Sequence, residues 1–484
     1  MSMASRAALS IFLACGALAM APAVHAQWSE QQLATAAALR DHATSGTQAY
    51  EHLTSLVTEV GPRLAGSSGD TAAVRWAMNK LASLGFSNVR SQDVLVPRWV
   101  RGEAQVTLLT PHPQPLVALA LGGSVGTPEE GIEAQVVEVA SLEALKALKP
   151  EAVRGKIVFI NQRMERARDG RGYGATVRNR TQGASAAADL GAVAIVIRSV
   201  GTSDNRIAHT GTVSYRVDAP RIPAFAISNP DADQLARHLK AGKPVRLHVK
   251  STARELSPAW SANVIGEIPG QGERANEIVL LGAHLDSWDP GQGALDDGAG
   301  VAIVMEAARL IAGLKERPAR TIRVVLFANE EFGLSGAREY ARLAGEGNEV
   351  ARHVIGMEAD LGAGPVWRVQ SQVAAEALPA IDKLREVLAP LGIESGNNQA
   401  HAGADLSPMR ELGMPVLDLS LDATQYFDVH HTINDTLDKV DRKALDQSVA
   451  AFAVAAYLSA TKEGDFGRIG TREQPTADRV SKGH

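Results

Sequence analysis

EIVLLGAHLDSWDPGQGALDDGAGVAIVMEAARLIAGL, residues 277–314, holds a strand, a polar loop and a helix in succession. From Glu277 to His284 the run is almost wholly apolar, as a strand covered on both faces must be. From Gly298 to Leu314 the apolar residues recur at helical spacing. A strand of that kind leading into a helix is one step of a parallel sheet with helices packed on both sides. The loop between them carries His284, Asp286, Asp296 and Asp297. It lies beyond the carboxyl end of the strand, where open α/β sheets place their ligands.

Downstream the alternation continues. Thr321 to Ala328, His353 to Glu358 and Pro415 to Leu421 read as strands; Leu334 to Leu343, Ala374 to Leu391 and Arg442 to Thr461 read as helices. The pattern predicts an α/β fold, a mostly parallel mixed sheet flanked by helices. Upstream, Trp28 to Leu84 reads as three helices broken by the loop Gly61 to Gly69, with a strand from about Asn88 to Val96. Between about Arg101 and Lys250 the texture changes to short β-branched runs, with helical patches such as Thr181 to Leu190. The expected division is a leader over 1–26, the first part of the main domain over 27–100, an inserted β-rich domain over 101–255, the rest of the main domain over 256–462, and a disordered tail over 463–484.

The chain has 484 residues, 45% hydrophobic and 21% charged, enough for a large core. In the first 26, Arg6 is the only charge, an apolar run spans Ala7 to about Ala21, and Ala23-Val24-His25-Ala26 offers small residues to a signal peptidase. This predicts a secretory signal with Gln27 as the first mature residue, the apolar run being short of the ~20 residues a bilayer core requires. Cys15, the only cysteine, leaves with it, and its context is a poor match to a lipid-attachment signal. An exported chain without cysteine forms no disulfide, so any metal site must use nitrogen and oxygen ligands. A formal net charge of −5 with no basic cluster speaks against nucleic acid, and no later segment suits a membrane. The expected location is the periplasm or the exterior.

Five residues of metal-ligand type end strands or open loops: His284, Asp296, Glu331, Asp360 and His431. Two His and three carboxylates can hold two zinc ions with one carboxylate shared, and Glu330 stands beside them to handle a proton. Asp286 is placed to accept the second imidazole N–H of His284, and Asp297 to cap the helix that follows. Two adjacent carboxylates at a buried strand end, Glu330-Glu331, repel unless a cation lies between them. Glu331 is read as ligand and Glu330 as general base. Glu358 and Asp360 share a face, and the position nearer the strand end favours Asp360. Of His430 and His431, the second is preferred because Asp435 can turn back to orient it.

These residues carry a resemblance. His284-Leu285-Asp286, Gly291 through Gly298, Glu330-Glu331, Met357-Glu358-Ala359-Asp360, Tyr426-Phe427, His430-His431 and Asp435-Thr436 resemble the co-catalytic di-zinc exopeptidases of the aminopeptidase and glutamate carboxypeptidase superfamily, and within it the carboxypeptidase Q group. Pro97-Arg98-Trp99, Gly155-Lys156-Ile157-Val158, Arg180-Thr181-Gln182-Gly183-Ala184 and His209-Thr210-Gly211 extend the likeness to that group's protease-associated domain. The resemblance implies one zinc on His284, Asp296 and Asp360, a second on Asp296, Glu331 and His431, Asp286 as orienting acid and Glu330 as base. It also implies a short-peptide substrate and a homodimer. Gln399 to Asp405 departs from the family's Gly-rich segment, which leaves open whether a free N- or C-terminus is read. The competing readings are a non-catalytic receptor of the same fold, which the complete ligand set opposes, and a hydrolase of non-peptide amides.

Overall fold

A computed structural model describes residues 27–470; the expected signal segment lies outside them. Two eight-stranded sheets organise the chain. In the first, the strands Thr321–Phe327, Ile278–His284, His353–Glu358 and Val416–Leu421 run parallel at the centre. Antiparallel strands Ser87–Val100 and Arg254–Ile268 flank them on one side and Val366–Gln372 on the other. All seven residues of Ile278–His284 and of Thr321–Phe327 are buried, as their mainly apolar sequences require, with Arg323 in the second paired to Glu267 at 2.7 Å.

Helices cover both faces. Ala299–Ala312 and Arg442–Thr461 pack together and are almost entirely buried, while Glu30–Thr44 lies outside Arg442–Thr461. Small residues permit this closeness: a Cβ on Gly300 would sit 1.9 Å from the Ala359 carbonyl oxygen, so the helix meets the Asp360 loop backbone to backbone.

The second sheet has a parallel centre, Ile132–Val139, Ile157–Ile160, Ala194–Arg198 and Ala224–Ile227, closed at both ends by antiparallel strands. The helices Arg171–Asp189 and Asn229–Lys240 make this region α/β, more helical than the β-rich reading of 101–255. Arg171–Asp189 hides that character behind Gly172, Gly174 and Gly183, which break the helical texture of the sequence. Three strands of the main sheet escape a sequence reading, one of them the two-residue Glu394–Ser395. The outer half of Arg254–Ile268 is exposed and contains Pro258, and Val366–Gln372 alternates apolar and polar side chains only loosely.

The expected disordered tail is corrected over 463–470. Phe466 is fully buried, its carbonyl accepts the Ala374 amide, and Arg468 donates to the Val350 and Leu412 carbonyls. One aromatic anchor among mixed charges is too weak a signal to separate this segment from a free end. Among the described residues no helix is long and apolar enough to cross a membrane.

Candidate metal centre

Three neighbouring parallel strands deliver their C-terminal ends to one place. His284 is the last residue of its strand, Glu330 and Glu331 follow Phe327 closely, and Asp360 lies two residues beyond Glu358. Asp296 comes from the loop before Ala299–Ala312, and His431 from the loop after the turn Tyr426–Asp428.

The six side chains converge. His284 Nε2 is 3.2 Å from Asp296 Oδ1. His431 Nε2 is 3.1 Å from Asp296 Oδ2 and 3.0 Å from Glu331 Oε2. His284, Asp296 and Glu331 form one compact donor set and Asp296, His430 and His431 another, so Asp296 belongs to both. Asp360 stands outside these tightest sets but lines the same cavity of about 350 Å³ together with Asp296, Glu330, Glu331 and His431. Glu358, its rival, is engaged elsewhere, accepting the Asp405 and Leu406 amides at 3.2 and 2.7 Å. His430 stacks on His431 with ring centroids 3.5 Å apart, and its Nε2 comes no nearer to Asp296 than 3.7 Å.

Two orienting contacts differ from the sequence reading. The nearest acceptor to His284 Nδ1 is the main-chain carbonyl of Asp286 at 3.1 Å, with the carboxylate at 3.7 Å. The Asp286 carboxylate instead accepts the amides of Glu330 and Glu331 at 3.0 and 3.4 Å, and so fixes the backbone of that acidic pair. Asp435 does not turn to His431. Its carboxylate takes the amides of Leu295 and Asp296, and the carbonyl facing His431 Nδ1 belongs to Thr210, at 3.3 Å. Both carboxylates serve backbone donors buried in tight loops, a demand that spacing alone does not reveal. Asp297 is a cap as expected, accepting the Gly300 amide, and its other oxygen takes the His284 amide.

Burial pushes Glu330 and Glu331 well above the usual carboxylate range; the neighbouring carboxylates add to the rise and His284 opposes it. Burial alone would raise Asp296 as well, but hydrogen bonds from His284 and His431 hold it well below that range. Glu331 Oε1 is buried without a hydrogen-bond partner, and Asp296 Oδ2 has only the His431 imidazole 3.1 Å away. Crowded, dry carboxylates with unfilled lone pairs beside imidazole nitrogens are costly alone and fit divalent cations that prefer nitrogen and oxygen.

Several residues of the site have no signature in the sequence pattern. Arg63 is fully buried and donates to the carbonyls of Leu285, Gln292 and Gly293, bracing the loop between His284 and Asp296. The second domain supplies a wall of the cavity through Tyr173, Arg180 and Thr212. Arg180 is buried, donates to the Tyr173 hydroxyl at 2.6 Å, and has no carboxylate within ion-pair distance among the described residues.

Residues 263–456 match the model of peptidase family M28, and residues 115–235 match the PA domain. Carboxypeptidase Q of Rattus norvegicus is 38% identical over 86% of this chain and 86% of its own length. The crystal structure of a peptidase M28 precursor from Shewanella amazonensis SB2B is 46% identical, with a TM-score of 0.89 over 91% of this chain and 99% of that one. A zinc aminopeptidase from Bacillus subtilis shares the fold at 21% identity and a TM-score of 0.61, over 85% and 94% of the two chains. The chain belongs to peptidase family M28.

Proposed function

We propose that this protein is a zinc-dependent exopeptidase that removes a terminal residue from short peptides or splits dipeptides. The observation that carries the reading is the convergence of His284, Glu331 and His431 on the shared Asp296, inside a small cavity that Asp360 and Glu330 also line. His284, Asp296 and Asp360 would hold one zinc and Asp296, Glu331 and His431 the other. Two such ions, when bound, act as Lewis acids that polarise the scissile carbonyl and make water more acidic.

The rest of the work belongs to the chain. Glu330 accepts the proton of the attacking water and returns it to the leaving amine, so the C–N bond breaks without expelling an amide anion. Asp286 keeps Glu330 and Glu331 in their relative orientation through the two main-chain amides it binds. A cavity of about 350 Å³ is of a size for a dipeptide or a chain end. Arg180, a buried cation on its wall without a carboxylate partner, faces a substrate carboxylate and favours a free C-terminus. The same reading includes export under the leader at 1–26 and assembly as a homodimer.

A panel of dipeptides with free or blocked termini, assayed with and without chelator, tests the proposal. The expected result is cleavage that requires the free C-terminus, stops on chelation and returns with zinc. Turnover indifferent to chelator would remove the metallopeptidase reading, and cleavage of C-terminally blocked dipeptides would remove the role of Arg180.

A further inference from the structure

The second domain reaches the centre on one side, through Arg180, whose Nη1 lies 3.4 Å from His431 Nδ1, and through one loop segment. The Thr202 amide donates to the Phe427 carbonyl at 2.9 Å, His209 Nδ1 lies 2.7 Å from the His430 carbonyl, and the Thr210 amide donates to the His431 carbonyl at 3.0 Å. The Thr210 carbonyl stands 3.3 Å from His431 Nδ1, and the Thr212 hydroxyl donates to the Glu331 carbonyl at 2.5 Å. His431 sits at φ 60°, a left-handed conformation that a non-glycine residue keeps only where its surroundings impose it.

His284 is supported differently. Its Nδ1 finds a carbonyl on Asp286, in its own loop, and the Asp360 carboxylate accepts the amide of its neighbour Leu361. Among the described residues no hydrogen bond joins the second domain to His284, Asp296 or Asp360. A carbonyl opposite Nδ1 favours the proton there and a free Nε2 lone pair, and it aims the imidazole; at His431 it does so against Arg180 Nη1, 3.4 Å from the same nitrogen. For His284 that carbonyl is local; for His431 it belongs to another domain. Thr210 is in turn tied back: its hydroxyl accepts Arg101 Nη1 at 2.8 Å, and Arg101 pairs with Asp289 in the loop after His284.

We propose that Thr202 to Thr212 is a positioning element for His431 and Glu331, so that the seating of the second domain sets the affinity of one metal position and leaves the other unchanged. The proposal rests on the di-zinc reading above. The position built from His284, Asp296 and Asp360 is complete within the main domain, and the one built from Asp296, Glu331 and His431 is completed by the second. Loosening the domain sheds the second ion first.

Thr212→Val in the full-length protein tests this, because it deletes the hydroxyl and keeps the side-chain shape. Thr212→Ser is the conservative partner. Arg101→Gln, which frees Thr210 from the main-domain loop, is an independent route to the same effect. Zinc release is read by titration with a chromogenic chelator, and the unfolding midpoint of each metal-free variant confirms that it is folded. Wild type is expected to release two ions. Thr212→Val and Arg101→Gln release one of them at about tenfold lower chelator concentration and the other unchanged, while Thr212→Ser behaves as wild type. Adding Thr212→Val to His431→Ala leaves the remaining ion unmoved, whereas adding it to His284→Ala weakens the ion that stays. Equal weakening of both ions, or no change in either, overturns the proposal. A wild-type protein that takes up no zinc pair removes the metal reading beneath it instead.

Discussion

Glu330 and Glu331 are adjacent in sequence and alike in chemistry, yet the structure gives them different surroundings. Glu331 Oε2 meets His431 Nε2 at 3.0 Å, while Glu330 lines the cavity with no imidazole within ion-pair distance among the described residues. Glu330→Gln is therefore expected to keep both zinc ions and lose about a hundredfold to ten-thousandfold in kcat, checked by metal analysis beside steady-state kinetics. Full turnover in that variant would remove Glu330 from the role of base. At this scale the chain was legible where chemistry and position coincide. His284, Asp296, Glu331 and His431 could be chosen because each ends a strand or opens a loop. Asp286 and Asp435 were read as partners of imidazoles because a carboxylate near a His invites that reading. The actual partners are backbone amides, fixed by loop geometry that no spacing rule encodes.

Elements carry the site by holding its loops, and one such fastening is titratable. Glu306 on Ala299–Ala312 accepts the Gln48 amide, His52 Nε2 and the Arg309 guanidinium, joining that helix to Ala49–Glu59. Burial alone would raise its pKa, but these bonds pull it down from 4.5 to about 2. Between those values the unfolded chain binds a proton that the folded one does not. The stability Glu306 contributes is thus fully present above about pH 4.5 and is lost as pH falls toward 2. Glu306→Gln is expected to lower the urea midpoint at pH 7, with the gap to wild type closing between pH 4.5 and 2; a gap constant with pH contradicts the assignment. Most elements were legible because buried parallel strands and long amphipathic helices have distinct periods. Arg254–Ile268 was not, since its exposed half with Pro258 resembles a linker and only its last eight residues are buried.

For the whole molecule, the division into two sheets follows from texture, but their docking does not. Contacts such as His209 to the His430 carbonyl join residues 221 apart, with no local pattern to announce them. Metal binding should register globally as well. With free zinc a hundredfold above its Kd, each occupied position adds about 2.7 kcal/mol to folding stability, so chelation is expected to lower the Tm and zinc to restore it. A melting curve indifferent to chelator would contradict this.

The segment around Phe466 has a practical corollary for anyone handling the gene. A product stopped after Thr461 would lose Phe466, which fills an otherwise vacant hole in the core, along with the backbone acceptor that receives the Ala374 amide and the Arg468 clasp on Val350 and Leu412. Affinity handles and reporter fusions belong after residue 470, and a chain cut back past Phe466 is expected to unfold at a lower temperature than the full-length protein.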